Sequence, residues 1–258
     1  MTRVLDDLSV WREERRTQVR AGVTLGFVPT MGALHEGHLS LVRRSRTEND
    51  RTLVSIFVNP TQFDESADFA AYPRTVEDDL ALLRTEGVEF VLMPGERDLY
   101  PDGFRYRVTE VEGSRILEGA CRPGHFDGVL TVVLKLLQLA AADRAYFGEK
   151  DWQQLSLVRG LAAAFFLPTA IVAGATVREP DGLALSSRNR RLSPADRRLA
   201  PELHRALSTA PSPEDAVRML REAGFAVDYV EEWDGRRLGA VRLGDIRLID
   251  NVPGGGPP

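Results

Sequence analysis

The chain is poor in cysteine. Cys121 is the single one in 258 residues, which excludes an internal disulfide framework and suits a reducing compartment such as the cytoplasm. It lacks a leader-like start: Met1 to Gln18 is charged and has no apolar core, so no secretory signal is expected. It lacks any apolar run of the roughly 18 residues that a membrane span requires. The longest, Phe165 to Val177, is interrupted by Pro168 and Gly174. An excess of positive charge is missing too. The net charge is −5 and the pI near 5.5, so nucleic acid is not an expected partner. The pairs Arg43-Arg44 and Arg190-Arg191 read as solvated faces. Histidine is scarce, four in all, which gives weight to where each one sits.

What is present is an ordinary globular composition, 43% hydrophobic and 28% charged, in a chain long enough to bury a full core. Apolar strand-like runs alternate with helix-period segments. Val23–Val28 precedes a helix from about His38, and Thr52–Val58 leads into the turn Asn59-Pro60-Thr61. Val76–Glu86 reads as a helix and Phe90–Met93 as a short strand. Asp127–Ala142 reads as a long apolar helix, Ala145–Phe147 as a strand, the segment from Asp151 as a helix and Thr169–Val177 as a strand. This order argues for an α/β fold, a Rossmann-like parallel sheet with helices on both faces. Ligands in such sheets bind beyond the carboxyl ends of the strands. From about residue 178 the texture changes: a charged helix over Ser193–Leu207, a helix over Glu214–Ala223 ended by Gly224, and strands at Val227–Glu232 and Ile246–Ile249. We read residues 1–177 as a Rossmann-like nucleotide- and substrate-binding domain. Residues 178–258 read as a smaller C-terminal α+β domain acting as a lid, with a disordered tail from Val252. No internal repeat is visible.

The most informative stretch is Pro29-Thr30-Met31-Gly32-Ala33-Leu34-His35-Glu36-Gly37-His38. It joins an apolar strand to an amphipathic helix. A helix N-terminus offers N–H donors and partial positive charge, which suit phosphate. Gly37 lets a phosphate approach the backbone. His35 and His38 fall on one side of the first turn, where imidazoles can donate to phosphate oxygens as charge builds. Two other readings remain: His-Glu-Gly-His is one residue short of a helical zinc signature and no third ligand is evident, and the segment also fits a capped helix with incidental histidines.

Further polar segments punctuate the chain. Asn59 and Gln62 end a buried strand between aromatic rings, where an Asn-based turn is the alternative. Asp78-Asp79 is an adjacent acidic pair, which reads first as a solvated helix face and only second as oxygens for a hard cation. Asp127 in Arg122-Pro123-Gly124-His125-Phe126-Asp127-Gly128-Val129 suits a helix cap. Phe147-Gly148-Glu149-Lys150-Asp151-Trp152-Gln153-Gln154 offers a glycine for close approach and a lysine as a point charge. Arg178 to Asn189 is a Gly-led loop with two hydroxyls and an arginine.

Taken together these segments resemble the pantothenate synthetase (pantoate–β-alanine ligase) family, within the His-x-Gly-His nucleotidylyltransferase superfamily. The likeness rests on Pro-Thr-Met-Gly-Ala-Leu-His-Glu-Gly-His, Phe-Val-Asn-Pro-Thr-Gln-Phe, Asp68-Phe69 with Tyr72-Pro73-Arg74, Arg-Pro-Gly-His-Phe-Asp-Gly-Val, Phe-Gly-Glu-Lys-Asp-Trp-Gln-Gln and Leu185-Ser-Ser-Arg-Asn. Family members often carry Gly at the position of Asp64 and Met at that of Leu185. The resemblance implies an ATP-dependent ligase with Mg²⁺, and His35, His38 and Lys150 as catalytic residues. It implies an ATP site from Met31, Gly32, Ala33, Leu34, His35, Glu36, Gly37 and His38. To these it adds Gly148, Glu149, Lys150, Asp151, Val177, Leu185, Ser186, Ser187 and Arg188. It assigns Gln62, Gln154 and Asn59 to pantoate and Arg122 and His125 to the β-alanine end. It makes Asp78 and Asp79 candidate metal contacts. A homodimer is implied by likeness alone.

The implied reaction has two steps: pantoate attacks the α-phosphate of ATP, and the amine of β-alanine then attacks the acyl adenylate. The conspicuous residues are donors and cations rather than covalent nucleophiles, which suits catalysis by positioning and charge stabilisation. A loop near residues 62–72 is expected to shield the intermediate from water. Two rivals are a nucleotidylyltransferase for another small molecule, with no need of Gln62 and Gln154, and a nucleotide sensor that binds ATP without turnover.

Overall fold

The structure is a computed structural model that describes residues 2–63 and 66–254. Asp64 and the end of the tail, 255–258, lie outside the described residues. The chain divides into two compact units: Met1–Gly148 with Gln153–Gly174, and Glu149–Trp152 with Ala175–Pro258. The boundary expected at 177/178 thus falls at 174/175, and four residues after Gly148 belong to the second unit. No helix among the described residues is long and apolar enough to cross a membrane.

The first unit runs β1 (Arg3–Leu5), α1 (Leu8–Arg20), β2 (Leu25–Thr30), α2 (Glu36–Glu48) and β3 (Arg51–Ile56). It continues with α3 (Ser66–Ala71), α4 (Val76–Thr85), β4 (Phe90–Leu92), α5 (Glu96–Leu99), α6 (Glu118–Cys121) and α7 (His125–Ala140). It ends with β5 (Arg144–Gly148), α8 (Trp152–Ala164, of which Trp152 counts with the second unit) and β6 (Ala170–Gly174). The sheet order is β1-β4-β3-β2-β5-β6, and every pairing is parallel. Parallel neighbours need long crossovers, which the helices supply. On one face Val28, Val54 and Val91 pack with Leu41 and Val42 of α2 and Leu83 of α4. Elsewhere in the unit Trp11 of α1 meets Phe90 edge-on and donates its indole N–H to the Leu139 carbonyl of α7 at 2.8 Å. The strand order reverses between β2 and β5, so the turn after β2 leaves at the switch point, where such sheets bind ligands, and the turn after β3 lies one strand away.

Five elements of this unit were not expected from the sequence: β1, α1 and the short helices α3, α5 and α6. The inward stripe of α1 is Trp11, Arg15 and Gln18, one apolar and two polar residues, so hydrophobic periodicity is faint. Arg15 is buried because its guanidinium bonds the Ala141 and Val23 carbonyls and Asp143.

The second unit carries α9 (Pro194–Leu199), α10 (Glu202–Thr209), α11 (Pro213–Glu222) and the antiparallel sheet β7 (Ala226–Trp233), β8 (Arg236–Leu243) and β9 (Ile246–Pro253). Leu203, Leu207, Leu220, Phe225, Val241 and Leu248 form its core. The single helix expected over 193–207 is two, separated around Pro201, whose ring cannot continue the hydrogen-bond ladder. Val252 and Pro253, expected in a disordered tail, complete β9 opposite Arg237 and Arg236.

Candidate active site

The turn between β2 and α2 is held from below. Thr30 Oγ1 donates to the Ser55 carbonyl at 2.7 Å and accepts the Gly32 N–H at 3.2 Å. Gly32 (φ +77°) and Ala33 (φ +50°) then turn the chain through left-handed backbone. Asp79, 1% exposed, reaches up from α4 and takes the N–H of Ala33 at 2.9 Å and of Leu34 at 2.8 Å, one on each carboxylate oxygen. The amides of Gly32, Ala33 and Leu34 are therefore committed inside the protein. At the start of α2, Glu36 and Gly37 are the residues whose amides make no bond among the described residues.

This geometry corrects the acidic-pair expectation. Asp79 is consumed by backbone donors and Asp78 is exposed. Neighbouring helical positions do not share a face, so the two carboxylates cannot act as a joint metal site. Among the described residues no group of three His, Cys, Asp or Glu could hold a metal ion, which also answers the zinc reading of the histidine pair.

The helix begins at Glu36, two residues earlier than expected, with His35 as its N-cap and His38 at the third position. The His35 N–H donates to His38 Nδ1 at 3.3 Å, and the two rings lie 4.1 Å apart at 37°. With Nδ1 accepting, the ring hydrogen of His38 resides on Nε2, which makes that nitrogen the ring's donor. The pair expected on one side of the first turn is thus together, and both histidines are half-buried.

The turn after β3 is a small hydrogen-bond lattice. Asn59, 1% exposed, uses all four of its side-chain bonds. Its Oδ1 accepts the hydroxyls of Tyr100 at 2.8 Å and Thr61 at 3.0 Å. Its Nδ2 donates to Gln62 Oε1 at 3.1 Å and to the Gly128 carbonyl at 3.2 Å. The resemblance implied a substrate contact for Asn59; in the structure its side-chain bonds are taken up within the protein, one of them by Gln62. The Gln62 amide NH₂ faces Met31 Sδ at 3.0 Å. Burial pushes the Tyr100 phenol above its ordinary value, so the hydroxyl stays a donor. Beyond the turn, Phe63 packs edge-on against Phe69 and Tyr72. The stretch read as a loop over 62–72 contains the helix α3.

Arg122 and His125 sit under the same turn. His125 is buried, its Nδ1 bonds the Gln62 carbonyl at 2.8 Å, and Arg122 donates to that carbonyl at 3.3 Å and to His125 Nε2 at 3.4 Å. The neutral ring with its hydrogen on Nδ1 satisfies both contacts. Arg122 and His125 thus both brace the backbone of Gln62. Of the two glutamines that start α8, Gln153 is buried and spans Glu118 N–H, Gly113 O and Ile116 O, while Gln154 is half-buried.

In the second unit, Glu149–Asp151 forms a 3-10 turn directly after Gly148, the last residue of β5. Asn251 of β9 donates to the carbonyls of Glu149 and Lys150, each at 2.9 Å. Arg236 pairs with Glu149 at 2.7 Å and lies over the Trp152 ring at 4.2 Å. The Lys150 side chain is 19% exposed, with Nζ 3.7 Å from Asp151. Strand β9 also packs on the 3-10 turn Ser187–Arg191. Ser186 caps that turn by accepting the Arg188 N–H at 3.3 Å, and Leu185 N–H bonds the Val177 carbonyl at 3.0 Å. Lys150, Ser186, Ser187 and Arg188 thus belong to one unit, fixed by one strand. Sequence reading missed Asp79 as a backbone clamp, Tyr100, Arg236 and Asn251. Only Tyr100 had a local signal, as an aromatic residue before the turn Pro101-Asp102-Gly103.

A parallel doubly wound sheet with a histidine pair opening the helix after a central strand defines an α/β enzyme of the nucleotide-handling class. The pantoate-beta-alanine ligase family profile matches residues 3–253. Pantothenate synthetase of Bdellovibrio bacteriovorus is 49% identical over 98% of this chain and 99% of its own length. That of Coxiella burnetii strain RSA 331 is 49% identical over 98% and 97%. A Francisella tularensis pantoate-beta-alanine ligase, solved in complex with beta-gamma ATP and beta-alanine, superposes with TM-score 0.93 at 39% identity over 98% of both chains. A pantothenate synthetase of Thermus thermophilus gives TM-score 0.88 at 41% identity, covering 98% of this chain and 99% of that one. The chain belongs to the pantoate–β-alanine ligase family.

Proposed function

We propose that this chain condenses pantoate with β-alanine to pantothenate, using ATP and releasing AMP and pyrophosphate. In the first step a pantoate carboxylate oxygen bonds to the α-phosphorus, and the bond to the β-phosphate oxygen breaks. In the second the β-alanine amine attacks the acyl carbon, AMP leaves with the shared oxygen, and the amine gives up a proton. His38, through Nε2–H, and His35 stabilise charge on the phosphates. The amides of Glu36 and Gly37 at the start of α2 add donors there. Lys150, Ser186, Ser187 and Arg188 take the triphosphate, and Gln62 and Gln154 take pantoate. Arg122 supplies the positive charge for the β-alanine carboxylate.

Mg²⁺ is proposed to enter on the nucleotide's own oxygens, since Asp78 and Asp79 do not form a site for it. The working form is proposed to be a cytoplasmic homodimer. The observation that carries the reading is the His35–His38 pair opening α2 in the same unit as the Met31–Gln62 contact. The test is formation of AMP from ATP. It should require both pantoate and β-alanine, while pyrophosphate release should require pantoate alone. Pyrophosphate release indifferent to pantoate points to another acceptor, and nucleotide binding without turnover makes the chain a sensor.

A further inference from the structure

The side-chain amides of Asn59 and Gln62 have a fixed polarity that propagates from a helix. The Gly128 carbonyl belongs to α7 and can only accept. It therefore takes Asn59 Nδ2, which turns Asn59 Oδ1 toward the hydroxyls of Tyr100 and Thr61. The second hydrogen of Nδ2 requires an acceptor, so Gln62 meets it with Oε1. The Gln62 NH₂ is left on the other side, against the thioether of Met31, a weak acceptor. An amide that could have offered either edge has one edge chosen for it.

We propose that Tyr100 and Asn59 are positioning residues that present Gln62 as a donor. The acid-binding end of the site would thereby select a ligand oxygen that accepts, a carboxylate or hydroxyl oxygen taking the place of the Met31 sulfur. The inference rests on Gln62 holding the acid substrate and goes beyond it by fixing the direction of the bond. Neither Tyr100 nor Asn59 touches the ligand; each acts through the next residue. A donor aimed at a weak partner is held ready for the ligand, because a poor bond is exchanged for a strong one on binding.

The test uses the full chain and steady-state kinetics with each substrate varied in turn. Y100F removes one of the two hydroxyls on Asn59 Oδ1 and should raise the KM for pantoate about threefold to tenfold, with the KM for ATP within about twofold. N59D replaces the donor to Gln62 by an acceptor, reversing the Gln62 edge, and should raise the KM for pantoate by at least about tenfold. Q62A removes the end of the relay, so Y100F introduced into Q62A should add nothing to that KM. A purely structural tyrosine would give the same multiplicative loss in both backgrounds and would raise all KM values together; either result overturns the inference. So does an unchanged pantoate KM in N59D, which also serves if Y100F does not fold. Failure of the functional reading is separate: in that case the wild-type chain forms no β-alanine-dependent AMP at all.

Discussion

Gly128 lies so close to Thr61 that a Cβ on Gly128 would stand 2.2 Å from the Thr61 carbonyl oxygen and 2.7 Å from the Gln62 nitrogen. The contact is backbone against backbone, so neither side can yield by rotating a side chain. Helix α7 and the turn that carries Gln62 are thereby set at a fixed separation. Gly128→Ala should displace the turn, destabilise the protein by about 1–3 kcal/mol and raise the KM for pantoate more than that for ATP. Thermal melting and substrate-varied kinetics on the same preparation check both parts.

Asp79 should behave as a structural anchor and not as a metal ligand. Asp79→Ala strands two buried N–H groups and should cost about 3 kcal/mol, whereas Asp79→Asn, which keeps one acceptor, should cost about half as much. Urea midpoints measure this. Asp78→Asn should leave both the midpoint and the Mg²⁺ concentration giving half-maximal rate unchanged; a large shift in that concentration would restore Asp78 to the metal.

His38→Ala and Lys150→Ala should each lower the rate of pyrophosphate release about 10²–10³-fold, about 3–4 kcal/mol, as for loss of one preorganised donor. Both variants should keep the native circular dichroism spectrum. Rates within tenfold of wild type for both would remove these residues from the chemistry.

Asp250 gives the second unit an acid dependence. Burial pushes its carboxyl up, but bonds from His204 and from Arg178, at 2.6 and 2.9 Å, outweigh that and hold it below the ordinary carboxylate range. A depressed folded value means that the stabilisation is complete above the unfolded pKa of about 3.9 and fades as pH falls through the lower folded value. Asp250→Asn should therefore cost about 3–5 kcal/mol near neutral pH, as for one partner lost from a buried pair. The gap in urea midpoint between it and wild type should narrow below about pH 4. A gap that stays constant down to pH 2 would show that ionisation of Asp250 is not the cause.

The central sheet was legible because β2, β3 and β5 are apolar runs buried on both faces, each followed by a helix-period segment. Strand β8 was not, since it opens with Arg236 and Arg237. Arg237 is nonetheless 6% exposed, because its guanidinium bonds Glu232 and the carbonyls of Leu207 and Ala210. The candidate residues His35, His38, Gln62 and Lys150 were legible as local motifs. The roles of Asp79, Tyr100 and Asn59 were not. Their partners lie 45, 41 and 69 positions away, and no local pattern encodes a contact made only by the fold. The same distance explains why Asn59 and His125 looked like ligand-binding groups: residue type and neighbourhood were visible, but the bonds already occupying them were not.

The four residues Glu149–Trp152 are counted with the C-terminal unit although chain on both sides of them belongs to the other. The backbone therefore passes from one unit to the other three times, at 148/149, 152/153 and 174/175. A gene fragment starting at Ala175 encodes a module missing the ridge that Asn251 and Arg236 grip, so separate expression or exchange between relatives would strip those two side chains of their bonds to Glu149 and Lys150. Inheritance of this half of the protein is tied to a short passage embedded in the other half, and the enzyme is divisible in shape but not in sequence.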